Sequence, residues 1–191
     1  IAYNYGIIKN NGMIGQRIKN GIGYNYGIIA NNGSFGQYSI ANDSLFNYGI
    51  IANNEKYGQR IKNGIGYNYG IIANNGSFGQ ETYLDTYNYG IIANNGEYGQ
   101  YGQVGTKNII NCGTIANNGS FGQFGVNTKN IINYGIIANK GDSGQHGNTA
   151  TIINYGIIAN TGKCGQVISK NVKGYNYGIV ANDNLDGTAK D

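Results

Sequence analysis

Proline and tryptophan are absent from the sequence, and only 12% of its residues are charged. Two cysteines, Cys112 and Cys164, are too few for the disulfide framework of a small secreted domain. No apolar run approaches the ~20 residues of a membrane-spanning helix, so we expect no membrane insertion of this segment. The net charge of +4 comes from scattered Lys and Arg residues rather than from one basic cluster. We therefore expect no nucleic-acid partner.

Glycine and tyrosine are abundant instead, with 34 and 18 residues, and they recur at regular spacing. The tripeptide Asn-Tyr-Gly, in which Cys replaces Tyr once, begins at nine positions that lie 20 to 23 residues apart. These positions are Asn4, Asn25, Asn47, Asn68, Asn88, Asn111, Asn133, Asn154 and Asn176. Such a period is typical of one turn of a solenoid, whose coils stack through parallel strand pairing about 4.8 Å apart.

Helical repeats have longer periods and are rich in Ala, Leu and Glu, whereas this unit is built from Gly, Asn, Ile and Tyr. The repeat therefore predicts an all-β fold, a right-handed parallel β-helix (β-solenoid) with about nine coils of ~21 residues. We expect one solenoid domain over residues 1–191 that is a fragment of a longer protein.

Each unit contains the segment Asn-Tyr-Gly-Ile-Ile-Ala-Asn, as at residues 25–31. Side chains alternate between the two sides of a strand, so the substitutions between units indicate which residues face the core. The second Ile never becomes polar, whereas the first becomes Thr114 and the Ala becomes Lys9. We therefore expect the second Ile to point inwards, and Tyr, the first Ile and Ala to point outwards. The predicted outer face contains Tyr26, Tyr48, Tyr69, Tyr89, Tyr134 and Tyr155 with Ile28, Ile50, Ile71, Ile91, Ile136 and Ile157.

Amide side chains recur as regularly as the apolar ones. Both Asn residues of the segment occur in all nine units, and a Gln recurs in eight. Buried amides are costly unless they are hydrogen-bonded, so we expect ladders in which each amide pairs with its counterpart in the next coil. The ladders include Asn31, Asn53, Asn74, Asn94 and Asn117, and Gln37, Gln59 and Gln80.

A second segment, as at residues 33–37, places an aromatic residue before a Gly-Gln pair. We expect these rings to form a core stack and the residues that precede them to be exposed. The rings are Phe35, Tyr57, Phe78, Tyr98 and Phe121, and the preceding residues include Ser34, Lys56, Glu97 and Lys163. In the ninth unit Asp186 and Thr188 replace the ring and the Gln, which indicates a poorly formed end coil or the end of the repeat.

Candidate catalytic groups do not converge in the repeat. Paired glycosidase carboxylates lie ~5 to 9.5 Å apart, yet no two acids share a repeat position in neighbouring units. The acids are Asp43, Glu55, Glu81, Asp85, Glu97, Asp142, Asp183, Asp186 and Asp191. His146 stands alone beside Gly147 in a variable segment, so we expect a solvated loop histidine. No calcium-binding Asp repeat occurs. We expect no enzymatic activity, no metal site and no cofactor.

The predicted Tyr and Ile face is the candidate binding surface, because a large contiguous apolar patch is typical of an interface. Two other interpretations remain open. The ladders of like residues can simply reinforce the sheet, or other parts of the protein can cover them.

The Asn-Tyr-Gly-Ile-Ile-Ala run at residues 25–30 resembles, one residue tighter, the Asn-x-Gly-x-Ile-x-Ala pattern of adhesin shafts. These are the β-helical shafts of filamentous-haemagglutinin-like and autotransporter adhesins, particularly of the fusobacterial type. The resemblance covers all nine units, although the outward Tyr and Ile depart from the Ser, Thr or Asn usual in such shafts. It implies a secreted or cell-surface protein that attaches to a host or bacterial surface protein or to a glycan.

Two alternative functions compete with the adhesin shaft. Near-identical coils with open strand edges can self-associate, which favours a self-assembling structural fibre subunit. Flat solenoid faces can also bind ice, although Thr114 is the only Thr on this face.

Overall fold

The computed structural model describes residues 1–41, 43–148, 151–168 and 172–182. All regular secondary structure within these ranges is β-strand, and the 26 strands form three parallel sheets. The chain visits the sheets in turn and contributes one strand to each sheet per coil, which confirms the predicted β-solenoid. Sheets 1 and 2 have nine strands and sheet 3 has eight. The predictions for Asp183, Asp186, Thr188 and Asp191 lie outside the described residues.

The strand bounds are as follows. Sheet 1 contains β1 (Ala2–Asn4), β4 (Ile22–Asn25), β7 (Asp43–Asn47), β10 (Gly64–Asn68), β13 (Asp85–Asn88), β16 (Asn108–Asn111), β19 (Asn130–Asn133), β22 (Thr151–Asn154) and β25 (Lys173–Asn176). Sheet 2 contains β2 (Ile7–Asn10), β5 (Ile28–Asn31), β8 (Ile50–Asn53), β11 (Ile71–Asn74), β14 (Ile91–Asn94), β17 (Thr114–Asn117), β20 (Ile136–Asn139), β23 (Ile157–Asn160) and β26 (Ile179–Asn182). Sheet 3 contains β3 (Ile14–Ile18), β6 (Phe35–Ser39), β9 (Tyr57–Ile61), β12 (Phe78–Thr82), β15 (Tyr98–Gly102), β18 (Phe121–Gly125), β21 (Ser143–Gly147) and β24 (Cys164–Ile168).

A corner interrupts each repeat segment between its first Asn and its first Ile. In the second coil β4 ends at Asn25 and β5 begins at Ile28, so Tyr26 and Gly27 form the turn. The backbone N–H groups of both turn residues donate to Asn4 O, at 2.8 and 3.0 Å. A Cβ atom on Gly27 would lie 2.0 Å from the carbonyl oxygen of Gly6 in the coil before, so only glycine fits there. The turn places each Tyr at the edge between sheets 1 and 2.

The second Ile of each unit forms the main core, as predicted. Seven of these residues are fully buried and pack on one another in a single cluster, with Ile8 and Val180 against its two ends. The cluster contains Ile29, Ile51, Ile72, Ile92, Ile115, Ile137 and Ile158. The first Ile points outwards, because Ile71 is 38% exposed while Ile72 is 0% exposed.

The three predicted amide ladders are confirmed. Asn25 Nδ2 donates to Asn47 Oδ1 at 2.8 Å, and this link repeats from Asn4 to Asn176. The second Asn ladder also donates towards the following coil, from Asn31 to Asn182. The Gln ladder donates towards the preceding coil, from Gln166 back to Gln16.

Between sheets 1 and 3 the core pairs large with small residues. Ile61 at the end of β9 faces Gly66 in β10, and the sizes are reversed where Gly102 in β15 faces Ile109 in β16. A Cβ atom on Gly66 would lie 2.8 Å from Ile61 Cδ1, and one on Gly102 would lie 2.7 Å from Ile109 Cδ1. Glycine in one sheet therefore provides the space that isoleucine fills from the other.

The aromatic residues of the second segment do not form the predicted core stack. They stack on one another with 4.9 to 5.4 Å between ring centroids, but on the outer surface of sheet 3. Phe35, Phe78 and Phe121 are half-buried, and only Tyr57 among the five rings is buried. The following Gly faces inwards, since a Cβ atom on Gly36 would lie 2.3 Å from Ile51 Cγ2. The prediction was wrong because the second Ile already fills this part of the core.

Candidate functional site

The candidate site is the outer surface of sheet 2 with the two corners that flank it. Four columns of like residues run along it, one residue per coil, and we call the whole surface the Tyr–Ile face. In the second coil the columns are represented by Tyr26, Ile28, Ala30 and Asn32. Among the described residues the four columns contain two charged side chains, Lys9 and Lys140. The face is therefore an almost uncharged strip along the rod.

The Tyr column consists of rings that stack face to face from coil to coil. Tyr48 and Tyr69 have ring centroids 4.9 Å apart and planes inclined by 4°, and the other pairs are similar. Cys112 interrupts the column, which continues through Tyr134, Tyr155 and Tyr177. Each inner ring has neighbours on both faces, so ring edges and hydroxyl groups are what the column presents to a partner.

Burial raises the phenol pKa of several tyrosines in this column. For Tyr48 and Tyr69 partial desolvation is the main cause, and the charge that an ionised neighbouring phenolate would carry adds to it. The same two causes raise the pKa of Tyr26. The raised pKa values keep the phenols of Tyr26, Tyr48 and Tyr69 neutral at physiological pH.

The Ile and Ala columns form a ridge and a groove. Ile28, Ile50 and Ile71 are 36%, 37% and 38% exposed, and the Ile column stands above the methyl groups of the Ala column beside it. The groove has a volume of about 370 Å³ and extends across four coils. Its lining includes Ala52, Ala73, Ala93 and Ala116, with Asn54, Asn75, Asn95 and Asn118 on the far side.

A fourth amide ladder borders the groove, and the sequence analysis missed it. Asn54 Nδ2 donates to Asn32 Oδ1 at 2.6 Å, and Asn75 Nδ2 donates to Asn54 Oδ1 at 2.9 Å. We call these exposed residues the outer Asn column; it comprises Asn11, Asn32, Asn54, Asn75, Asn95 and Asn118. Its signal in the sequence is the Asn-Asn doublet that follows the Ala in most units.

A second aromatic column lies on sheet 1 beside the Tyr column and was also missed. Tyr24, Phe46, Tyr67 and Tyr87 stack at 4.7 to 5.1 Å, and each ring contacts the Tyr-column ring of its own coil. In later coils Ile110, Ile132 and Ile153 take these positions. The signal was the aromatic residue immediately before the repeat tripeptide in six of the nine units, which the variable composition of that third of the coil obscured.

The predicted binding residues are thus brought together on one surface. Tyr26, Tyr48, Tyr69, Tyr89, Tyr134 and Tyr155 are exposed at 41 to 52%, and the six predicted Ile residues are exposed at 36 to 43%. The outward Ile column contains Thr114 in β17, as the sequence indicated.

On the outer surface of sheet 3, Arg60 and Glu81 are paired with each other. Arg60 Nε lies 2.6 Å from Glu81 Oε2, and the Arg60 guanidinium lies 4.4 Å from the centre of the Tyr57 ring. Gln103 Nε2 donates to Glu81 Oε1 at 2.8 Å. Burial raises the pKa of Glu81, although the hydrogen bond from Gln103 and the charge of Arg60 oppose the rise. These partners leave little of either charged group for a ligand, which indicates a structural role.

His146 is not the solvated loop residue that the sequence suggested. It lies in β21, paired between Phe124 and Val167, and is half-buried. Its ring meets the Phe124 ring nearly edge-on, with centroids 5.0 Å apart, and burial lowers its pKa. The prediction failed because the variable third of the coil continues sheet 3 instead of forming a loop.

The remaining reactive groups are dispersed. Cys112 and Cys164 are free thiols. Within the described ranges no three His, Cys, Asp or Glu side chains gather where they could hold a metal ion. The same part of the chain contains no helix that is long and apolar enough to cross a membrane.

No family model, curated protein or solved structure matches this chain. Inference about its function therefore rests on the geometry of the Tyr–Ile face.

Proposed function

We propose that this chain is a stretch of a secreted or surface-displayed adhesin shaft, which attaches to a cell or another surface through the Tyr–Ile face. One observation carries the proposal: the face is apolar, rigid and almost uncharged, and it runs through all nine strands of sheet 2. Exposed apolar area of this extent is typical of an interaction surface.

The stacking of the tyrosines bears on the kind of partner. A sugar ring packs against the face of an aromatic ring, but in this column neighbouring rings cover those faces at about 5 Å. Ring edges, hydroxyl groups and Ile methyl groups suit a flat apolar protein surface better than a glycan. The proposed partner is accordingly a protein surface with a regular apolar relief.

A surface-display experiment tests the proposal. Yeast cells that display the chain are expected to be retained on epithelial monolayers and on polystyrene, and a variant with Tyr48, Tyr69 and Tyr89 changed to Ser is expected to lose that retention. The matched control changes Phe78, Tyr98 and Phe121 to Ser, which removes three stacked rings from sheet 3 instead.

Both triple variants should lose some stability, because each stacked aromatic pair contributes about 0.5–1.5 kcal/mol. Retention that falls only in the sheet 2 variant supports attachment through the face. Equal retention of cells that display the unchanged chain (the parent) and cells that display the sheet 2 variant would refute attachment through the face. Retention of the parent no better than that of cells without the displayed chain would refute it as well. Binding of the parent to chitin beads but not to monolayers would show that the partner is a glycan.

A further inference from the structure

The repeat of the Tyr–Ile face along the rod indicates which partner fits it best. The Ile ridge and the Ala groove each contain one side chain per coil, so both repeat along the rod at the spacing of parallel strand pairing, about 4.8 Å. A partner with a different repeat would drift out of register within a few coils. A second copy of this chain has the same rise, so its ridges and grooves stay in register over the full length.

The relief of the face is complementary to itself in one orientation. We propose that two copies pair through their Tyr–Ile faces around a two-fold axis parallel to the rod, with the two rods pointing in the same direction. This operation places the Ile column of each copy over the Ala column of the other at the same coil, so that Ile71 meets Ala73 of its partner. A two-fold axis across the rods would instead oppose Ile to Ile and leave the Ala groove empty.

The polar columns match in the same arrangement. Because the order of columns is reversed in the second copy, its outer Asn column faces the Tyr column. Each outer amide uses one N–H group and its oxygen within the ladder, and an Asn side chain has a second N–H group and further lone-pair capacity. The hydroxyl groups of the facing Tyr column can accept from this N–H group and donate to the amide oxygen. No polar group at the rims of the pair is then left without a hydrogen-bond partner.

The area is sufficient for a stable pair. Eight intervals of ~4.8 Å give a face ~38 Å long, and the four-residue strands of sheet 2 give a flat width of ~13 Å between the two corners. The flat part of the pair then buries ~1,000 Å² in total, and the exposed Tyr and Asn side chains at the corners add to it, towards the range of about 1,600 ± 400 Å² for specific interfaces. The absence of charge over most of the face removes the desolvation cost that ion pairs would add.

This inference goes beyond the proposed function: two shafts that pair cover the face through which an unpaired shaft attaches, so pairing and attachment compete for the same surface. It predicts pairs of shafts that stand side by side on one surface. Pairs between opposing surfaces would need antiparallel rods.

Sedimentation velocity and spin-label distances test the pairing. The parent is expected to sediment as a dimer at high micromolar concentration, and the variant Ala73→Lys/Ala93→Lys as a monomer. Lys9 already occupies the Ala column beside Ala30, so the fold accepts Lys at this position. The control variant Val104→Lys adds charge at an exposed residue away from the face and should remain a dimer.

The orientation is read from one spin label at Lys9→Cys, in a chain with Cys112→Ser and Cys164→Ser. Parallel rods bring the two labels within about 20 Å of each other, because facing sheets lie ~10 Å apart. Antiparallel rods separate them by about 38 Å, since the first coil then faces the last. A distance near the longer value, or a dimer that survives Ala73→Lys/Ala93→Lys, would overturn the proposal.

The two hypotheses fail separately. A parent that stays monomeric, while the Tyr→Ser variant loses surface retention, refutes the pairing and leaves attachment through the face intact. A dimer that Ala73→Lys/Ala93→Lys abolishes, combined with unchanged retention of the Tyr→Ser variant, supports the pairing and refutes attachment.

Discussion

The facing pair Gly102 and Ile109 allows a quantitative test of how the core of this solenoid is specified. Ile109 is fully buried, and a Cβ atom on Gly102 would lie 2.7 Å from its Cδ1 atom and 2.9 Å from Thr106 Cγ2. Ile109→Ala removes three carbon atoms and should cost 2–5 kcal/mol, roughly the range for Ile→Ala in cores. Gly102→Val adds three carbon atoms to a filled site and should cost about 1–3 kcal/mol.

The double variant keeps the number of core carbon atoms constant. Gly102 has no positive φ, so a side chain there strains only the packing. Volume-conserving exchanges usually cost less than about 1.5 kcal/mol. The double variant should therefore be more stable than the sum of the single changes predicts by at least about 1.5 kcal/mol.

Urea-induced unfolding followed by far-UV circular dichroism measures these differences, provided that all variants have the same m value. The control combines Gly102→Val with Ile152→Ala, which lies about 10 Å further along the rod and should give additive costs. Additive costs in the facing pair would refute the idea that each large residue occupies space that a glycine opposite provides.

Three further predictions follow from burial, hydrogen bonding and charge. Ile72→Asp should unfold the rod, because an unpaired buried charge costs several kcal/mol or more, whereas Ile71→Asp should be tolerated; thermal melts with the reverse ranking would show that the face assignment is wrong. Asn74→Ala should lower the free energy of unfolding by about 1–3 kcal/mol, because the Asn74 amide donates to Asn94 and to the Phe78 carbonyl. The exposed control Asn75→Ala should change it by no more than ~0.5 kcal/mol. Equal urea midpoints for the two variants would count against a stabilising role of the buried ladder. Folding raises the pKa of several phenols of the Tyr column above the model-peptide value of about 10. The contribution of these phenols to stability is therefore complete below pH ~10 and is lost as pH rises through the folded pKa. A free energy of unfolding that does not fall above pH ~10, together with phenol absorbance that titrates at the ordinary pKa, would contradict this prediction.

Much of the fold could be predicted because substitutions within the repeat reveal the inside and outside of a strand. The second Ile is never polar and is buried, whereas Thr114 and Lys9 mark the outward positions correctly. The two Asn ladders and the Gln ladder followed from the same reasoning, because a buried amide that occurs in each coil can satisfy itself with its own neighbour.

The errors arose where neighbours in space are not equivalent positions of the repeat. Phe35 looked like a core residue, yet Gly36 is the inward one because Ile51 from another sheet fills the space. The exchange of size between Gly102 and Ile109 joins two residues of the variable third. Like residues stack there over three coils only, Gly102 with Gly125 and Gly147 and Ile109 with Ile131 and Ile152, so the repeat as a whole does not reveal it.

Identical sequence also has different surroundings in this molecule. Residues 17–37 and 60–80 have the same sequence, yet Arg17 is exposed and Arg60 is paired with Glu81. The partner of Arg60 comes from the following coil, where Phe78 and Glu81 belong to the same strand. The environment of a solenoid residue is thus set by the coils above and below as much as by its own unit.

The directions of the four amide ladders have an electrical consequence. The two buried Asn ladders donate towards the following coil, whereas the Gln ladder and the outer Asn column donate towards the preceding one. A central coil thus contributes two side-chain amide dipoles along the axis in one sense and two in the other. Where all four ladders are present, the number of coils does not change the net side-chain dipole, so a rod of this design can be lengthened without accumulating electrical polarity in its side chains.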